Sequence, residues 1–392
     1  MTTTAEKIRA YQGPKLLDRG FRPFFLSAGV FAALAMPLWV AILALDYQLP
    51  ASLSGRAWHL HEMLFGYLAA VIAGFLLTAI PNWTGRLPVV GKPLGALWAL
   101  WLAGRMAMLF LEFAPILAAV IDSAFLVVFA GLLWREVLAG KNIKNAPVCL
   151  IVSLLAAGNI SFHILWLSDN ATLQAERLGL AMIAILISLI GGRITPSFTR
   201  NWMMKHQISP LPAAFDNIDK AGLATGVVAI IVWLVVGVTQ IGGILFALAS
   251  VLYFYRIYRW RGFACLVEPL VVILHIGYIW LPVWFALMAL LAFFPETVSQ
   301  PAALHALSAG AIGTMTIAVI TRASLGHSGQ PLTADKWTTL IYVLIIAGAV
   351  LRMSADWLPL DYTMAVSLAG ALWSLGFAVF VIIYGPILLG RK

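Results

Sequence analysis

Residues Trp58–Gly85 read WHLHEMLFGYLAAVIAGFLLTAIPNWTG. Two histidines, a carboxylate and a thioether stand at the mouth of an apolar run about twenty residues long, the length that crosses the hydrocarbon core of a bilayer. The same ruler, laid along all 392 residues, finds the run repeated. The chain is 62% hydrophobic and 10% charged, with a mean hydropathy of +0.95. Spans are expected at about 22–45, 59–81, 94–111, 115–134, 147–167, 178–195, 221–239, 241–258, 268–293, 301–321, 337–353 and 363–388. An all-α integral membrane protein with about twelve transmembrane helices follows, one polytopic membrane domain over 1–392. Barrel strands alternate and are half as long, so continuous runs exclude a β-barrel.

The net charge of +9 is sorted by loop. Arg86, Lys92, Arg135, Lys141, Lys144, Arg200, Lys205, Lys220, Arg256, Arg259, Arg261, Arg322 and Lys336 fall on the side of the N-terminus. The opposite loops carry few basic residues beyond Arg56 and Arg177, and show Asp46, Glu112, Asp169, Glu296, Asp356 and Asp361 instead. That asymmetry predicts a bacterial inner-membrane protein with both termini cytoplasmic. Anionic headgroups account for the charge without nucleic acid. The polar, basic start reads as a cytoplasmic lead-in rather than a cleavable signal. Cys149 and Cys265 lie near cytoplasmic helix starts, where thiols stay reduced and no disulfide is expected.

Spans compared with one another show a period of four. The first, fifth and ninth open alike, with FRPFFLSAG, NAPVCLIVSLLAAGN and VEPLVVILHIGY. The second, sixth and tenth close alike, with LLTAIPNWTGR, GGRITPSFTRNW and AVITRASLGHSG, each placing a Gly or Pro break at the cytoplasmic end. Three four-helix repeats, about 1–145, 146–262 and 263–392, around a pseudo-threefold axis are the architecture this implies.

Depth then selects the chemistry. At 1.5 Å per residue, His59, His61, His163 and His305 share the outer leaflet, His275 sits in the inner half of the ninth span, and His206 and His327 fall in loops. The 100° helical step puts His59, Glu62 and Met63 on one face and His61 nearly opposite. His61 looks along an apolar stripe suited to a macrocycle. His59 with Met63 offers imidazole and thioether, donors that suit Cu(I). Each of His61 and His305 precedes a glycine, Gly66 and Gly310, by five residues. Those glycines allow either close helix approach or room for a flat ligand. Depth and register together point to haem held by two histidines. No zinc spacing, phosphate loop, dinucleotide fingerprint or serine-hydrolase motif is present.

The stretches FRPFFLSAGVFAALAMPLW, WHLHEMLFGYLAAVIAGFLLTAIPNWTG, LWLAGR and HALSAGAIGTMTIAVITRASLGHSGQPL resemble the NnrS family, membrane proteins of the nitric oxide response described as containing haem and copper. The resemblance runs from end to end. It implies an inner-membrane haem b protein, with copper as a second metal, that binds nitric oxide or transfers electrons. Spacing and depth, rather than the resemblance, make His61 and His305 the expected axial ligands, with Arg56 pairing with haem propionates; they likewise give His59, Met63 and His163 to copper, with His275 as the alternative metal position. A more distant similarity is to the catalytic subunit of haem-copper oxidases and nitric oxide reductases, twelve helices in three arcs of four. Between Leu178 and Val238 the only histidine is His206, so the histidine-rich second metal site of those enzymes is not expected here. Two other functions fit the same sequence: a transporter whose pathway includes the intramembrane Arg105 and Asp122, and an assembly factor that handles haem or copper without redox turnover. Whether catalysis occurs, and the electron donor, are left open.

Overall fold

A computed structural model describes residues 6, 10–51, 53, 55–169 and 171–391. Among the described residues every regular element is helical, and twelve helices are long and apolar enough to cross a membrane. They are α1 (Phe21–Leu45), α2 (Gly55–Thr84), α3 (Lys92–Phe110), α4 (Pro115–Ala139), α5 (Ile143–Asp169), α6 (Leu173–Lys205), α7 (Asn217–Val236), α8 (Gln240–Arg259), α9 (Pro269–Phe293), α10 (Gln300–His327), α11 (Lys336–Ser354) and α12 (Tyr362–Leu388). Local chemistry sets many of the starts. Asp216, Thr239, Glu268, Ser299 and Asp335 each accept a backbone N–H as N-cap residues. Proline occupies the first turn of α3, α4, α9 and α10, where its missing N–H costs nothing.

Two expected boundaries move. Helix α6 continues to Lys205 and α10 to His327, so His327 ends a helix rather than lying in a loop. Pro81 and Pro196 do not break their helices, which run on for three and nine further residues. A membrane helix tolerates a proline where neighbouring helices, hydroxyl side chains or local adjustment satisfy the freed carbonyl. Helices α2, α6 and α10 share another property: each contains a π-helical segment, Glu62–Tyr67, Ile187–Gly191 and Ala306–Gly313.

The chain forms two compact units. The first runs to Met182 and adds Ile320–Pro331 and the chain from Phe377 onward. In it α1 packs on α2, α3 on α4, and α4 on both α2 and α5. Buried Arg22 pairs with Asp18 at 2.8 Å and donates to the carbonyls of Ile387 and Leu388 at 2.6 and 3.0 Å. Carbonyls in the last turn of a helix lack intrahelical partners, and Ile387 also accepts from the Gly390 N–H at 3.1 Å.

The second unit holds Ile183–Val319 and Leu332–Gly376, with α7 on α8, α8 on α9, and the π segment of α10 between α9 and α11. Its buried cation is Arg256, 2.9 Å from Asp219 and 3.0 Å from the Tyr278 hydroxyl, with its guanidinium 5.0 Å from the centre of the Tyr253 ring. One arginine thereby ties α7, α8 and α9 together through an ion pair, a hydrogen bond and an aromatic face.

The two glycines that follow His61 and His305 are filled by packing. A Cβ at Gly66 would stand 2.5 Å from Nη1 of Arg105, and one at Gly310 would stand 2.4 Å from the indole of Trp280. Close approach, not room for a flat ligand, is therefore what each glycine provides. A Gly310→Ala variant is expected to unfold with a loss of about 1–3 kcal/mol, since the rigid indole must move. Gly131→Ala, whose methyl meets nothing within 4 Å, should be neutral or slightly stabilising. Thermal unfolding in one detergent compares the two, and equal melting temperatures would contradict the tight contact.

Candidate metal centre

Four helices of the first unit each bring a polar group to one level. His61 lies six residues into α2, Arg105 five residues before the end of α3, Asp122 seven residues into α4, and His163 six residues before the end of α5. Successive helices run in opposite directions, so all four sit about 8–10 Å below the helix ends farther from the N-terminus. Asn159, one turn from His163 on the same face of α5, completes the set. His61, Glu62, Arg105, Asp122, Asn159 and His163 are all buried.

Arg105 bridges two carboxylates, one nitrogen on Glu62 Oε1 and the other on Asp122 Oδ1. The Asp122 Oδ2 atom accepts from Asn159 Nδ2 at 2.9 Å and His163 Nε2 at 2.9 Å, and lies 3.2 Å from His61 Nε2. The other nitrogen of His61, Nδ1, is 2.9 Å from Glu62 Oε1. Since the Asn159 amide nitrogen is committed to Asp122, its oxygen faces His61 Nε2, at 2.9 Å. Every group around the imidazole is thus an acceptor. Neutral histidine offers one N–H, so the ring must carry a proton on both nitrogens or share one position with a cation. Two carboxylates against one guanidinium leave a single negative charge, and a buried charge is costly until it is balanced. One positive charge at His61 restores neutrality.

Ligand atoms of His61, Asp122 and His163 lie within 4.8 Å of one another, and among the described residues this is the one such group of histidines, cysteines and carboxylates. It can hold a metal ion. Two imidazoles and a carboxylate suit zinc, iron(II) or copper. The set does not suit a porphyrin at His61: the ring is 0% exposed and enclosed by Phe65, Phe162 and His163, with ring centres 5.3, 5.2 and 4.8 Å away.

Of the residues singled out in the sequence, the fold joins His61 to His163. Glu62 turns to His61 and Arg105 rather than following His59, because the π segment begins at Glu62 and the 100° step no longer applies there. His59 stacks on Trp39 with ring centres 4.5 Å apart, and Met63 is half-buried. Arg56 makes a two-pronged pair with Glu176, at 3.0 and 2.6 Å. His305 belongs to the second unit, half-buried, its Nδ1 2.8 Å from the Pro301 carbonyl. His275, also in the second unit, sets Nε2 2.8 Å from the Thr199 hydroxyl, which itself donates to the Thr195 carbonyl. Asn159 was the residue the sequence reading passed over. Its signal was its position four before His163, on the same face of the helix.

A polytopic, all-helical membrane protein with an ionic centre of histidine and carboxylate buried among four of its spans is the class these observations define. The family model described as NnrS protein matches residues 15–392, nearly the whole chain. The chain belongs to the NnrS family. No curated protein matches it. Membership supports a membrane protein of the nitric oxide response and suggests an association with metal or haem.

Proposed function

We propose that this NnrS-family protein acts in nitric oxide metabolism or defence as a metalloprotein of the bacterial inner membrane, with a compact metal ion held by His61, Asp122 and His163. The supporting observation is the ring of acceptors around His61 in a buried cluster one positive charge short of neutrality. Copper is the favoured ion: Cu(I) supplies one charge, and imidazole pairs suit copper. The loop charges support a reading with both termini in the cytoplasm and the cluster toward the periplasm. Three four-helix repeats fit the recurrence of a π segment in α2, α6 and α10, the second helix of each proposed unit.

Haem b, which the family resemblance implies, is then assigned to His305 and not to a His61–His305 pair. His305 has the arrangement typical of a metal-bound imidazole, with Nδ1 donating to a backbone carbonyl. Metal analysis and absorption spectra of the purified protein test both assignments. His163→Ala should lose copper and keep the Soret band, and His305→Ala should do the reverse. Loss of the Soret band in His61→Ala with copper retained would refute this division. A protein with neither metal nor Soret band, which moves a solute across vesicles, would favour the transporter reading carried by Arg105 and Asp122.

A further inference from the structure

The second unit has a cleft of about 380 Å³ between the α6–α7 connection and the α8–α9 turn, lined by Leu211, Ala213, Tyr258, Arg259, Arg261 and Phe263. Its floor is tied by a hydrogen bond from the Ala213 N–H to the Arg259 carbonyl, at 3.2 Å. The two arginines are not equivalent. Arg259 is committed to Asp216, with Nη1 2.9 Å from Oδ1. The hydrogen bond from Arg259 holds the Asp216 carboxyl at about 2, so it stays ionised and cancels that charge. Arg261 is exposed, stands in the left-handed region at φ 58°, and among the described residues makes no ion pair.

The surroundings are apolar and outward-facing. Tyr258, Phe263, Leu266 and Val267 are 71, 80, 63 and 82% exposed, from the last turn of α8 to the approach to α9. A soluble surface with such a tip would aggregate; at the edge of a bilayer the same residues enter the headgroup boundary. A basic cleft between helix ends, ringed by interfacial aromatics, has the make-up of an anionic lipid site.

We propose that this cleft binds the headgroup of an anionic phospholipid, with Arg261 supplying the charge for the phosphate and Phe263 lying along the lipid. The site is independent of the metal centre. Arg261→Gly is the informative variant, because glycine adopts φ near 58° without strain and the fold is kept while the charge is lost. Lys141, exposed at φ 51°, gives a matched control in Lys141→Gly. Native mass spectrometry of the delipidated full chain, titrated with phosphatidylglycerol, should show about fivefold weaker binding for Arg261→Gly and no change for Lys141→Gly. Phe263→Ser should also weaken it. Phosphatidylcholine should bind less well than phosphatidylglycerol, and inorganic phosphate should not displace the lipid. Unchanged affinity in Arg261→Gly, or equal binding of the two lipids, overturns the proposal. Displacement by phosphate would make this a soluble-anion site and overturn it too.

Discussion

Arg105→Gln is expected to cost about 3–5 kcal/mol of stability, the penalty for leaving buried carboxylates without their cation. Arg105 is 3% exposed and faces Glu62 and Asp122 together, so no solvent can replace it. Expression and melting temperature in detergent should both fall sharply. Adding Glu62→Gln to the same chain should return part of the loss, since one uncompensated charge is then removed. Two changes in contact with one another should couple, and a double-mutant cycle measures that coupling. Additive losses would mean that Arg105 contributes by packing alone and not as the counter-charge of the cluster.

His163→Ala should weaken copper binding by at least about a hundredfold, because it deletes a donor outright rather than a group supporting one. The variant is selective. His163 bonds Asp122 alone within the cluster, so its removal leaves the bridge of Arg105 to Glu62 and Asp122 in place. Equilibrium dialysis against a copper chelator reads the affinity, and the melting temperature of the metal-free protein reads the fold. Unchanged affinity would place the metal outside His61, Asp122 and His163. Unchanged affinity with a lowered melting temperature would show that His163 is a structural hydrogen-bond donor.

Much of this was legible because two quantities survive translation from sequence to membrane: length and depth. Apolar runs marked all twelve spans, and a fixed rise per residue put His61 and His163 at one level. Hydropathy failed at the end of α6, where GRITPSFTRNWMMK is polar on average. The residues buried there, Thr195, Thr199 and Met203, recur every four positions, a helical signal that average polarity hides. The site failed differently. Arg105 and Asp122 were visible as costly ionisable residues within spans. What joined them to His61 was the choice of neighbouring helix, which no spacing within one helix contains. Depth and register matched His61 to His305, whereas the contacts of His61 come from α4 and α5 of its own unit.

The π segments of α2, α6 and α10 carry a consequence of their own. Each amounts to one residue more than a regular helix needs over that length, so the wheel drawn before it and the wheel drawn after it are out of phase. A span built this way behaves as two short helices that share an axis but keep separate compass bearings. In α2 the upper bearing aims His61 at α4 and α5, while the lower one sets Gly74 against Phe25 of α1. Chemistry at the mouth and packing in the shaft can therefore drift independently as the sequence changes, and one added residue is what uncouples them.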